Sequence, residues 1–72
     1  MRTLRAHRRD TGFEELDIVR TKATIDVDGR VLPSGSLGAI VLVHRDGQVF
    51  EVEFTEPVAA LVTLEAREIE PA

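Results

Sequence analysis

Two apolar runs separated by a short polar turn constrain this chain more than any other feature. They occupy residues 37–56, LGAIVLVHRDGQVFEVEFTE. In the first run Ile40, Val41 and Val43 are β-branched, which suits a pleated strand and disfavours a helix. Glycines flank the run, so a buried helical segment fits poorly. The turn is His44-Arg45-Asp46-Gly47, and its Asp-Gly pair is a strong hairpin signal. The returning run alternates. Phe50, Val52 and Phe54 fall on one face and Glu51 and Glu53 on the other, so the first set enters a core and the second faces water. Pro57 cannot donate to a ladder, which ends the strand by Glu56. The stretch is a β-hairpin, and it sets the class of the protein as all-β.

The rest of the chain repeats the theme in shorter pieces. Residues 13–19 (FEELDIV) mix helical and strand spacing. A turn over residues 11–15 followed by a strand over residues 17–21 accounts for both. Ile25 and Val27 alternate with Thr24, Asp26 and Asp28, and Asp28-Gly29 is a second turn signal. Residues 32–38 (LPSGSLG) read as a loop punctuated by Pro33 and Gly35. Residues 58–64 (VAALVTL) suit a strand over residues 60–64, while a short helix after Pro57 remains an alternative. Glu65-Ala66-Arg67 then makes a single turn, and Glu68-Ile69-Glu70 a very short edge strand with Ile69 inward, stopped by Pro71. The expected core is Leu16, Ile18, Val19, Ile40, Leu42, Phe50, Val52, Phe54, Val62, Leu64 and Ile69. Five short strands in one flat sheet would leave an apolar face bare, so closure into a small five-stranded barrel is expected.

Charge is unevenly distributed. Residues 1–10 hold four arginines and one aspartate, a net +3, whereas residues 11–72 hold five basic and twelve acidic residues, a net −7. Residues 1–12 therefore read as a basic N-terminal arm, either a frayed tail or a segment that docks on a partner, and residues 13–72 as the folded domain. At 72 residues the chain makes one domain at most, with one small core. The absence of cysteine excludes disulfides and thiolate metal sites and fits a reducing compartment, so a cytoplasmic location is expected. No signal-peptide pattern and no membrane-length apolar run is present.

The residues that carry chemistry point away from catalysis. Only His7 and His44 are available as histidine ligands, and a metal site would need the two Asp-Gly turns to converge so that His44, Asp46, Asp26 and Asp28 meet. Glu51/Glu53 and Asp26/Asp28 are carboxylate pairs at strand spacing, expected to be solvated and charged. Ser34 and Ser36 lack a histidine–acid pair to activate them. The segment from Gly35 to Gly38 lacks a phosphate-loop lysine. No enzyme activity, cofactor or metal is expected. An acidic body without Trp or Tyr also disfavours nucleic acid.

Taken together, the segments ELDIV (15–19), GSLGAIV (35–41), DG (46–47), VEF (52–54) and LEAREI (64–69) resemble the DUF4926 family over residues 14–70. The resemblance implies a small bacterial protein with an SH3-like barrel. His44 stands where the family usually has an aromatic, and the arginine arm lies outside its pattern. The glycine-to-hairpin portion is also similar to KOW-type elements of translation and transcription proteins. Genome neighbourhoods of such proteins imply an antitoxin or immunity role. The expected function is therefore a small acidic protein-binding module with a basic partner, free of any membrane, with homo-oligomerisation open. The alternative is a KOW-like nucleic-acid-binding module. Partner contacts are expected in the loop from Ile25 to Leu37, at Asp26, Asp28, Arg30 and Leu32, with Leu32 as an exposed apolar anchor beside Pro33.

Overall fold

The computed structural model describes residues 12–72. It contains seven strands: β1 (Ile18–Thr21), β2 (Ile25–Val27), β3 (Arg30–Leu32), β4 (Leu37–His44), β5 (Val49–Phe54), β6 (Ala60–Glu65) and β7 (Ile69–Pro71). Single 3₁₀ turns over Arg45–Gly47 and Ala66–Glu68 join β4 to β5 and β6 to β7. The hairpin of β4 and β5 is the centre of a five-stranded antiparallel sheet ordered β6-β5-β4-β1-β7. Strands β2 and β3 form a separate two-stranded ribbon. Val27 pairs with Arg30 across the Asp28-Gly29 loop, where both residues have positive φ, 53° and 85°. That is the primed geometry of two-residue hairpins, which glycine permits at no steric cost.

The expected five-stranded SH3-like barrel is not what forms. The sheet stays open: β6 and β7 are its two ends and do not pair with each other. A bare apolar face does need a cover. The chain supplies that cover differently, by laying the β2–β3 ribbon and Phe13 against the core. Leu32 from β3 is fully buried within the same cluster as Val19, Ile40, Phe50, Val52, Phe54, Leu64 and Ile69, and Ile25, Val27 and Phe13 pack on it. Phe13 meets the Phe50 ring edge to face, with centroids 5.6 Å apart, a favoured aromatic arrangement.

Most of the expected core is in place, with instructive exceptions. Leu42 points out, because β4 carries a bulge. Ile40 pairs with Val52, but Leu42 pairs with Glu51 and Val43 with Phe50, so Val41 has no opposite number. One extra residue inverts the alternation beyond it. Val43 then packs against the core, and Leu42 joins the outer face. Ile18 and Leu16 are also exposed, since Val19 and Thr21 are the inward positions of β1. The turn expected over residues 11–15 sits later, where Glu14 N–H donates to Asp17 Oδ2 and Asp17 N–H to the Glu14 carbonyl. The strand alternative for residues 60–64 and the inward Ile69 of the last strand both hold.

Candidate functional site

Of the four residues expected to meet a partner, three are at the surface and one is not. Asp26, Asp28 and Arg30 are exposed on the β2–β3 ribbon. Leu32 is 0% exposed and pairs with Ile25 on the inner side of the ribbon. It is a core residue, and the reason is parity: Leu32 shares a face with Ile25 and Val27, both turned toward the sheet. The exposed apolar residue of the ribbon is its neighbour Val31, opposite Asp26. Asp26 itself has a local task, since its Oδ1 accepts the Gly29 N–H at 2.7 Å and holds the turn.

The base of the ribbon is locked to the sheet through one buried hydroxyl. Thr21 Oγ1 donates to the Pro33 carbonyl at 3.2 Å and accepts the N–H groups of Gly35 and Ser36 at 3.1 and 3.2 Å. Ser36 Oγ donates to the same Pro33 carbonyl at 2.6 Å, and Ser34 Oγ to the Lys22 carbonyl at 3.0 Å. The serines flanking Gly35 are thus turn-forming groups satisfying backbone carbonyls. Among the described residues no group of three or more His, Asp or Glu side chains is placed to hold a metal ion. Two open depressions are lined by Leu37, Thr55, Glu56 and Pro57, and by Arg45, Gln48, Val49, Glu65, Ala66 and Arg67.

The surface feature that sequence reasoning missed lies on the back of the main sheet. Cross-strand registers align Ile18, Ala39, Glu53 and Leu61 in one row. Arg20 and Leu37 lie opposite one another in the row on one side, and Leu42, Glu51 and Thr63 form a row on the other. Ile18, Leu37, Leu42 and Leu61 are 52%, 53%, 44% and 62% exposed, and Val41 in the bulge is 41% exposed. Leu16, just before β1, is also exposed, and its N–H donates to the Ile40 carbonyl. Isolated exposed apolar residues are ordinary, whereas here several share one sheet face. Part of the signal is present in the sequence, where the apolar character of Leu42 and Ile18 makes them core candidates. Their apolar character was legible and their direction was not.

Acidic groups are set within this surface. Glu53 sits in the middle of the apolar row, between Ala39 and Leu61. Glu51 is held in place: Thr63 Oγ1 donates to its two carboxylate oxygens at 3.0 and 2.9 Å, and His44 Nε2 lies 3.1 Å from Oε2. A carboxylate oriented by neighbours on two strands loses less freedom when a cation binds it. Chemically, the face offers a partner aliphatic contact area and fixed negative charge. Among the described residues no helix is long and apolar enough to cross a membrane.

No curated protein and no solved structure matches this chain. A family model does, over residues 15–71, and its description is a domain of unknown function. That match spans nearly all of the described fold, from the turn before β1 to the end of β7, and the chain belongs to the DUF4926 family.

Proposed function

We propose that this protein is a binding module rather than a catalyst, and that the outer face of its main sheet receives another protein with a basic, partly apolar surface. One observation carries the reading: exposed Ile18, Leu37, Leu42 and Leu61 share a face with Glu51 and Glu53. Apolar area supplies affinity, while the embedded carboxylates favour cationic partners and repel acidic ones. The net −7 of residues 11–72 steers in the same direction. An antitoxin or immunity-like role is the finer form of this proposal, supported by the family resemblance and by the size of the chain.

The test is recovery of the tagged protein from its native host under stoichiometric conditions, followed by face-specific substitutions. A basic protein should co-purify at one to one, and its toxicity or activity should fall in the complex. Glu53→Arg and Leu61→Ser should each weaken that complex while leaving the melting temperature within a few degrees. Asp28→Asn, on the ribbon, removes a charge without straining the left-handed backbone and should leave binding intact. Recovery of RNA or ribosomes without a stoichiometric protein would refute the proposal.

A further inference from the structure

Leucine at position 16 breaks two local rules at once. Asp17 N–H donates to the Glu14 carbonyl at 3.1 Å, which closes a β-turn over residues 14–17. Leu16 is the third residue of that turn, with a φ of 77°. Positive φ at that position is the mark of a type II turn, where glycine or asparagine is the usual occupant. Elsewhere the chain meets the same demand with Gly29, Gly35 and Gly47, whose φ values are 85°, 89° and 85°. Here it carries a leucine, whose Cβ crowds the following carbonyl in the left-handed region. The side chain is also 81% exposed, more than any other large apolar side chain among the described residues.

The fold uses the backbone of this residue and not its side chain. Leu16 N–H donates to the Ile40 carbonyl at 2.7 Å, and Ile40 N–H donates to the Asp17 carbonyl at 3.0 Å, so the turn is tied to β4. Asp17 Oδ2 accepts the Glu14 N–H at 2.9 Å and tightens it. Any residue but proline could donate the first of these bonds. Leu16 belongs neither to the core cluster nor to the side chains packed against it. Strain that brings the core nothing points to a task outside it.

We infer that Leu16 is a fixed apolar knob that enters a leucine-sized socket on the basic protein partner proposed above, an inference that rests on that reading. Charge identifies the rim of the socket. Glu15 and Asp17 flank the knob, and residues 14–17 (EELD) hold three acids and no base, so lysine or arginine side chains surround the socket. The ties to β4 hold the knob out before the partner arrives, and less freedom is lost on docking. Ile18 of the outer sheet face is two residues further on, at most about 7 Å along the chain. One partner can therefore engage the knob and the face together.

The test separates stability from binding. Leu16→Asn suits the left-handed backbone and gives up little buried surface, so its urea midpoint should rise above that of the wild type. The same variant should weaken the purified one-to-one complex with the basic protein at least about tenfold by calorimetry, the loss expected when one leucine goes unburied. Leu16→Met keeps an apolar side chain of similar volume and should retain most of the affinity. A midpoint that falls in Leu16→Asn would give the side chain a place in the fold and overturn the inference. So would a complex that Leu16→Asn leaves intact. If Glu53→Arg and Leu61→Ser still weaken that complex, the outer face stands as the docking surface without the knob. Recovery of no basic protein removes the outer-face reading and the knob together.

Discussion

Gly38 is the described glycine at which an added Cβ would meet close neighbours, and its substitution tests the packing quantitatively. A Cβ built there would stand 2.8 Å from Phe54 Cε2, 2.8 Å from Val52 Cγ1 and 2.9 Å from Phe54 Cδ2. Carbon atoms prefer separations of about 3.5–4.0 Å, so each contact overlaps by at least about 0.6 Å. Retreat is blocked, because Val52 is 0% and Phe54 1% exposed. Overpacking of this kind costs about 1–3 kcal/mol. Against it stands the reduced freedom of the unfolded chain, worth about 0.4–1 kcal/mol in favour of alanine. Gly38→Ala should therefore destabilise by about 1–2 kcal/mol. With a urea slope near 1 kcal/mol/M for a small domain, the midpoint falls by about 1–2 M. The decisive measurement is a double-mutant cycle with Phe54→Leu, which removes the ring. In that background the added methyl should cost less than in the wild type, because the two ring contacts have gone while the one to Val52 Cγ1 remains. Equal costs in both backgrounds, or a stabilising single substitution, would refute the packing account.

Other expectations follow from the same structure. Phe54→Ala should cost about 3–5 kcal/mol, whereas Glu53→Ala one position earlier should change stability by less than about 0.5 kcal/mol; urea melts of the pair check the facing of β5. Thr21→Val keeps the shape but removes the hydroxyl that serves Pro33, Gly35 and Ser36. The Gly35 and Ser36 N–H groups keep the Thr21 and Pro33 carbonyls as acceptors, so the loss is that of a net hydrogen bond, about 0.5–1.5 kcal/mol in urea melts, and a neutral or stabilising substitution would speak against the lock. In an electrophoretic shift assay at about 150 mM salt, mixed RNA and duplex DNA should remain unbound. Micromolar binding lost on deleting residues 1–10 would instead assign nucleic acid to the arginines.

The sequence made the strands legible and left their three-dimensional use underdetermined. Phe50, Val52 and Phe54 alternate with Glu51 and Glu53, and Val62 and Leu64 with Thr63 and Glu65, and both strands form where expected with these faces. β4 is different. Its apolar run carries no alternation, so nothing in it announces that Val41 is the bulge and that Leu42 turns outward. Leu32 failed for a related reason. Next to Pro33 and among turn residues it looked like loop, but the Asp28-Gly29 turn folds Arg30–Leu32 back on Ile25–Val27 and carries Leu32 inward. The open sheet was out of reach of patterning altogether, since apolar count says how much must be covered and not which element covers it. The same holds in part for the candidate binding face: the apolar character of Leu16, Ile18 and Leu42 makes them core candidates, yet all three are exposed, while Glu51 and Glu53 lie on the outer face as their alternation predicts. The basic arm of residues 1–12 lies almost wholly outside the described residues.

The pairing of β1 with β7 sets a schedule for the fold during synthesis. Val19, Arg20 and Thr21 pair with Pro71, Glu70 and Ile69, so among the described strands the first to be made is the neighbour of the last. Lys22 N–H donates to the Glu68 carbonyl and Ala72 N–H to the Ile18 carbonyl, which fastens both ends of that seam. The hairpin at the centre closes over a short loop and can form early, while the seam spans nearly the whole described chain and is slow to find. On the ribosome, Ile69 reaches the core only when residues 69–71 clear the exit tunnel. Until then β1 keeps an unpaired side, and the nascent chain holds a half-finished sheet that a chaperone or a neighbouring copy can read.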